Sequence, residues 1–236
     1  MSDAYPPATP HGALTEVLPD LFQVKGSIRM KPAFRFSRNM TVVRHDGALT
    51  LLNTVRLDEA GLAALDALGK VENVIKLGGH HGLDDRFYVD RYGALYQVLE
   101  GDRPAKGIDG HEVITEGGPL PIPGAEMFFF KTTTLAEGLL RLDRDGGVLV
   151  SCDALQNWAP DEYCDLFTRV VMTLMGFFKP CNIGPGWIRA SKPQANDFER
   201  LLALSFEHVL CGHGEPVIGD AKARYAPAIK KHFGVG

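Results

Sequence analysis

Apolar residues recur along this chain in two alternating rhythms, one of short runs and one of helical spacing. After a Pro-rich lead-in, Leu21 to Val24, Asn39 to Arg44 and Ala48 to Asn53 predict strands. The last two are joined by His45-Asp46-Gly47, whose Asp-Gly pair is hairpin turn chemistry. Asp58 to Leu68 predicts a helix, with Leu62, Leu65 and Leu68 on one face, acids at its start and Gly69 just past its end. Asn73 to Leu77 then reads as a strand and Asp85 to Tyr92 as a short helix. In the second half Met127 to Phe130, Leu139 to Leu142 and Val148 to Ser151 predict strands, the last two linked by the turn Asp143-Arg144-Asp145-Gly146-Gly147. Leu166, Phe167, Val170, Val171, Leu174, Phe177 and Phe178 recur at helical spacing, a stripe wide enough to seat that helix on a sheet. Lys179 to Pro193, with three prolines and two glycines, is expected to be irregular. A helix near Ala195 to Phe206, a strand at Val209 to Cys211 and a terminal helix near Ala221 to Phe233 complete the pattern. Strands followed by helices, twice over, fit an α/β fold, either a four-layer αββα sandwich or a doubly wound sheet.

Composition narrows the classes without choosing among them. At 236 residues, 45% hydrophobic and 23% charged, the chain can bury a full core as one large domain or two small ones. A net charge of -4 lacks the cation surplus that phosphate neutralisation needs, so no nucleic-acid partner is expected. Cys152, Cys164, Cys181 and Cys211 form no C-x-x-C pair and are too sparse for a disulfide scaffold, which suits reduced thiols in a cytoplasmic protein. Met1-Ser2-Asp3-Ala4-Tyr5-Pro6-Pro7 has neither a basic start nor an apolar core, so it does not read as a secretory signal. The most apolar helix carries Thr168 and Arg169 and is too short for a bilayer core of ~30 Å, so no membrane partner is expected either. Pro119, Pro121 and Pro123 look like a stiff connection.

The chemistry concentrates where Val74-Ile75-Lys76-Leu77 breaks on Gly78 and Gly79 into His80-His81-Gly82-Leu83-Asp84-Asp85. Clustered His and Asp just past a strand are how metal sites are assembled. The spacing resembles the His-x-His-x-Asp-His signature of the metallo-β-lactamase superfamily, with His80 in the first place and Asp84 in the fifth. Gly82 and Asp85 stand where the family has two more histidines. Val148 to Leu155 is similar to the family strand that ends in a metal-bridging aspartate, here Asp153, with Cys152 in place of the usual glycine. His208 to Pro216 is similar to the segment carrying the last histidine ligand, here His213. The family's remaining histidine falls within Lys131-Thr132-Thr133-Thr134, where Thr133 is its counterpart. The resemblance covers roughly residues 16 to 220 and implies the αββα sandwich, as one domain over 1–236 with 1–15 irregular.

That resemblance also implies a reduced metal site. Site one maps to His80, Gly82 and Thr133, and zinc favours N and S donors that glycine and threonine lack. Site two maps to Asp84, Asp85, Asp153 and His213, an oxygen-rich set suited to a harder cation. The expectation is one divalent ion (Mn, Fe, Mg or Zn) at Asp84, Asp85, Asp153 and His213, with His80 as a further candidate, or no ion at all. His81 lies off the family register. With one ion, the implied activity is hydrolysis of an ester, lactone, thioester or phosphoester; without it, the same fold would serve as a binding protein. In that metal-free case the carboxylates repel, and an ion pair between Asp153 and a protonated His213 with Arg86 nearby would relieve them.

Simpler roles compete with each of these. Asp84 or Asp85 can cap the following helix, His80 and His81 can be satisfied in a glycine-rich turn, and Cys152 fits a buried structural thiol. Lys25, Arg29, Lys31, Arg35 and Arg38 form a cationic strip without an acid. In the family the matching hairpin lies near the mouth of the site, which makes Arg29 and Arg35 candidate contacts for a small anionic substrate; the alternative is an edge protected from pairing. The Trp158 to Trp187 region is a third option, as a contact surface for a protein partner.

Overall fold

The chain folds around a long hairpin, β2 (Leu21–Lys31) against β3 (Phe34–His45), in a computed structural model that describes residues 5–236. The reading of Met1 to Pro7 falls in part on residues 1–4, outside the described residues. With β1 (Thr15–Leu18), β4 (Ala48–Leu52), β5 (Lys70–Lys76), β6 (Leu95–Leu99) and β7 (Glu112–Ile114), the hairpin makes a seven-stranded sheet in chain order. The first four strands pair antiparallel and the last four parallel. Parallel neighbours need a crossover, and α1 (Glu59–Leu68) and α2 (Asp85–Tyr92) supply two of them. Asp58 starts α1 by accepting a bond from Gly61 N–H at 2.8 Å, which satisfies a first-turn donor that has no partner within the helix.

A second sheet runs β13 (His208–Leu210), β10 (Val148–Val150), β9 (Gly138–Leu142), β8 (Ala125–Phe129). β10 and β13 are parallel, so the residues after both strands emerge at the same edge. Leu52, Ile75, Leu77 and Leu99 from the first sheet interdigitate with Leu140, Val148, Val150 and Leu210 from the second, forming the core between sheets. The outer face of the first sheet packs on α1 and α2 through Leu62, Leu65, Phe87 and Tyr88. The outer face of the second packs on α4 (Pro185–Ser191), α5 (Ala195–Ala203) and α6 (Ala221–Phe233) through Trp187, Phe198, Leu201 and Tyr225. The result is the αββα sandwich, not the doubly wound sheet.

Three features depart from the pattern expected of the sequence. The stretch expected to be irregular contains α4, begun by Pro185 in the first turn, where a missing N–H costs nothing, and a short pair β11 (Leu155–Gln156) with β12 (Asn182–Ile183). β6 and β7, which the periodicity did not signal, complete the parallel half of the first sheet. Most important, α3 (Leu166–Leu174) is not seated on a sheet: it buries only Thr168 and Met172 and turns its apolar stripe outward.

Candidate metal centre and cavity

His81, Asp153 and His213 meet where the two sheets share an edge, each offering one donor atom within 4.8 Å of the others. β5 ends before Gly78, whose bridge to Glu137 at the start of β9 ties the first sheet to the second. Gly138 N–H reaches the Leu77 oxygen at 2.9 Å, and Gly79 N–H the Ala136 oxygen at 3.1 Å. The chain then turns on a bond from His81 N–H to the Gly78 oxygen and carries the His81 ring inward. Asp153 follows β10, and His213 follows β13 beside it. These two loops touch: a Cβ on Gly212 would stand 2.5 Å from the Cys152 oxygen, so that position admits only glycine without backbone movement.

The His213 ring is fixed on several sides. Its Nδ1 lies 2.9 Å from the Ser37 main-chain oxygen, which makes Nδ1 a donor and turns Nε2 toward the Asp153 carboxylate, 3.1 Å away. Trp158 stacks on it with centroids 4.5 Å apart, and the Trp158 indole N–H donates to Ser37 Oγ at 2.8 Å. Asn39 holds the loop itself, its side-chain amide donating to the Cys211 and Gly214 oxygens. His81 Nε2 faces Asp153 at 3.7 Å, and its buried Nδ1 has no hydrogen-bond partner among the described residues. Burial alone would raise the Asp153 carboxyl, but the His81 and His213 imidazoles outweigh it and hold Asp153 well below the usual carboxylate range.

Glu137 stands under this group. Its carboxyl accepts from Asp153 N–H at 2.9 Å and Ala154 N–H at 2.6 Å, fixing the loop from below. Burial, then the Asp153 charge, pushes Glu137 well above the usual carboxylate range. Cys152 is fully buried with its thiol pushed well up by burial, then by the Asp153 and Glu137 charges, which suits a structural thiol.

Of the residues singled out from the sequence, Asp153 and His213 reach this group and the others do not. Asp84 sits at the N-cap position of α2 but caps nothing with its side chain. Its carboxylate takes the buried Arg38 guanidinium and, at 2.8 Å, the Arg56 N–H. Asp85 is buried as well, accepting from Thr54 at 2.6 Å and Tyr96 at 2.8 Å, and burial raises its pKa. His80 is exposed on the cavity rim while its neighbour His81 supplies the ring, so the turn is displaced by one residue from the expected register. Thr133 donates its hydroxyl to the Phe130 oxygen and does not line the cavity. Arg86 pairs with Asp90 along α2 rather than with Asp153. Arg29 and Arg35 share one partner, Asp165, at 3.3 and 3.4 Å, and neither lines the cavity. Glu137 and Ser37, which the sequence reading missed, carry no motif and act through contacts with distant chain segments, while Trp158 and Trp187, read from the sequence as a contact surface, are buried.

The group forms the floor of a cavity of about 340 Å³. Phe34, Phe36, Trp158, Met172, Phe177 and Trp187 make its walls, with Arg38 and Gln156 as polar exceptions. Such a lining favours a ligand that is largely apolar with one polar end directed at the floor.

The donor set fits a single metal ion. Two imidazoles and a carboxylate are a familiar set for one first-row divalent ion with open positions, the outer hydrogen bond from His213 to Ser37 is of the kind that orients a ligating histidine, and the orphaned His81 nitrogen leaves ring donor capacity unspent. Asp84 and Asp85 are engaged elsewhere and lend nothing to a second ion.

No family sequence model matches the chain. No curated protein matches it in sequence either. Solved structures do match in shape, and they define its fold. The chain is similar to the DIM-1 metallo-β-lactamase (TM-score 0.62, 13% identity, covering 95% of this chain and 99% of that one). It is also similar to the FIM-1 metallo-β-lactamase of Pseudomonas aeruginosa, solved in a mono-zinc form (TM-score 0.61, 12% identity, 96% and 97% covered). A metallo-β-lactamase from Erythrobacter litoralis matches with TM-score 0.57 at 9% identity, covering 92% of each chain. The protein therefore has the metallo-β-lactamase fold, as the resemblance of its segments implied.

Proposed function

We propose that this protein is a mononuclear metal-dependent hydrolase of a small, largely apolar ester, thioester or lactone, with His81, Asp153 and His213 holding one divalent ion. The observation that carries this reading is the convergence of three donor atoms within 4.8 Å on the floor of an apolar cavity. The mono-zinc form of FIM-1 is a precedent for one ion on this fold. A divalent ion there would polarise a substrate carbonyl and lower the pKa of water. The chain's own residues do the rest. His213 is kept in one tautomer by the Ser37 oxygen, Asp153 is kept ionised by its two imidazoles, and the aromatic walls exclude water and seat the apolar part of the substrate. Relative to the set expected from the sequence, the ligand proposal moves from Asp84, Asp85 and His80 to His81, and substrate selection moves from Arg29 and Arg35 to the cavity walls.

A second reading, a metal-free binding protein on the same fold, rests on the Asp153 to His213 contact of 3.1 Å, which neutralises the buried carboxylate without any ion. Elemental analysis of protein purified without chelators separates the two. About one equivalent of zinc, iron or manganese, lost in Asp153→Ala and restored by titration in the wild type, supports the hydrolase; wild-type protein that takes up no ion under any of these metals leaves the binding protein.

A further inference from the structure

The helix that the sequence pattern seats on a sheet instead faces outward, and its exposure is severe. Leu166 is 78% exposed, Phe167 60%, Val170 53% and Leu174 83%, all on one nine-residue helix. α3 is held by its polar atoms: Arg169 donates to the Cys164 and Asp161 oxygens, and Asp165 N–H to the Arg35 oxygen. Its position is thus defined while its apolar face is left without a partner among the described residues. That face is continuous with the cavity, because Met175, 43% exposed just after α3, and Met30, 62% exposed near the hairpin tip, both also line it.

Charge decides what covers this face. From Leu166 to Asn196 the chain has no Asp or Glu but carries Arg169, Lys179, Arg189 and Lys192. Lys179, Arg189 and Lys192 are exposed and have no carboxylate partner among the described residues, and Arg189 is fixed to the C-terminal end of α3 through the Met175 oxygen at 3.2 Å. Lys31 is likewise exposed and unpaired among the described residues at the hairpin tip, which touches α3 through Thr168 and Ala33. A second copy docked about a two-fold axis would lay this patch on itself, cation against cation, with Asp165 at the start of α3 already paired with Arg29 and Arg35. An uncharged apolar partner would leave the cations unanswered. Anionic lipid headgroups answer them while the acyl boundary takes the leucines and Phe167.

We propose that α3 and the tip of the β2–β3 hairpin lie against an anionic lipid surface, with the open side of the cavity between them facing that surface. The helix lies in the interface and does not cross it; among the described residues no helix is long and apolar enough to span a membrane. The expectation of no membrane partner rests on segment length, which bears on spanning a bilayer and not on resting against one. A cavity whose rim touches lipid would receive an amphiphile from it, the apolar part along the walls and the polar end directed to the floor. That last step alone rests on the proposed hydrolase; the surface itself does not.

Sedimentation with vesicles tests the surface without any activity measurement, using the full chain stripped of metal by a chelator. Vesicles of phosphatidylcholine and phosphatidylglycerol should bind the protein at least ~10-fold more tightly than phosphatidylcholine alone, and added salt should weaken that binding. Leu166→Asp with Leu174→Asp, both exposed and outside the core, should reduce binding by ~10-fold or more, as should Lys179→Glu with Lys192→Glu. Circular dichroism confirms that these variants fold. Equal binding to both vesicles, or variants that bind as the wild type does, would overturn the proposal. So would a dimer, seen by light scattering, that the Asp variant dissolves, since the face would then be an interface between copies. Because the protein is metal-free throughout, a failed metal titration leaves this result standing, and the reverse.

Discussion

The Nδ1 atom of His213 lies 2.9 Å from the main-chain oxygen of Ser37, 176 positions earlier in the chain. A backbone carbonyl can only accept, so this contact makes Nδ1 a donor and fixes the ring with Nε2 toward Asp153. The candidate centre is therefore oriented by the long hairpin of the first sheet, not by the loop that carries the histidine.

Removing donors should sort neighbours that the sequence cannot distinguish. His81→Ala and His213→Ala are each expected to weaken zinc or manganese binding by ~100-fold or more, since loss of an outer hydrogen bond already costs ~10 to 100-fold. His80→Ala and Asp84→Asn should leave the affinity within a few fold. Isothermal titration on the folded variants checks this; an unchanged affinity in His81→Ala would return the assignment to the register expected from the sequence.

Trp158 joins packing to the centre. Trp158→Ala empties a site against His213, Phe36, Phe177 and Phe178 and is expected to cost about 3–5 kcal/mol by urea unfolding. Trp158→Phe keeps most of the volume but deprives Ser37 Oγ of its donor, and should cost about 1 kcal/mol.

The approach of the two ligand loops depends on Gly212. With a Cβ 2.5 Å from the Cys152 oxygen, Gly212→Ala must push main chain against main chain, at about 1–3 kcal/mol. The same displacement should lower metal affinity, because Asp153 and His213 flank the strained contact. A variant with wild-type melting and affinity would show that the loops are not held this closely.

Asp85 gives a pH signature separate from the centre. Burial raises its pKa against the opposing bonds from Thr54 and Tyr96. A group whose folded pKa is raised contributes stability that is complete below its unfolded value of ~3.9 and is lost as pH rises through the folded value. Asp85→Asn has no such loss, so the wild type should lose stability relative to it as pH rises from ~4 to ~7. Urea midpoints measured across that range check the sign; a gap that stays constant with pH would count against it.

If the apolar walls select substrate, chain length should matter more than charge. Across a series of acyl esters, kcat/KM should rise by up to ~4-fold per added methylene until the cavity is full, the equivalent of about 0.8 kcal/mol each. Steady-state rates measured at two salt concentrations should differ little for such neutral esters, because Arg29 and Arg35 are spent on Asp165.

What the sequence by itself determined is what neighbouring residues decide: the hairpin turn at Asp46-Gly47, the helix ending at Leu68 before Gly69, the terminal helix, and strands ending just before Asp153 and His213. Periodicity and turn chemistry are local, and the motif segments after β10 and β13 inherit their place from those strands. Tertiary structure decided the rest. Which histidine of His80-His81 turns inward depends on Gly78 bridging to Glu137, 59 positions away, because a glycine-rich turn has no periodicity to fix its register. Whether Asp84 is a ligand or an ion-pair partner depends on the buried Arg38 of another strand, and a buried carboxylate goes to the cation that meets it. Whether the apolar stripe of α3 faces a sheet or open space is equally invisible to its own spacing. An amphipathic pattern specifies that a face needs covering, but only the packing of the remaining chain shows that nothing among the described residues does so.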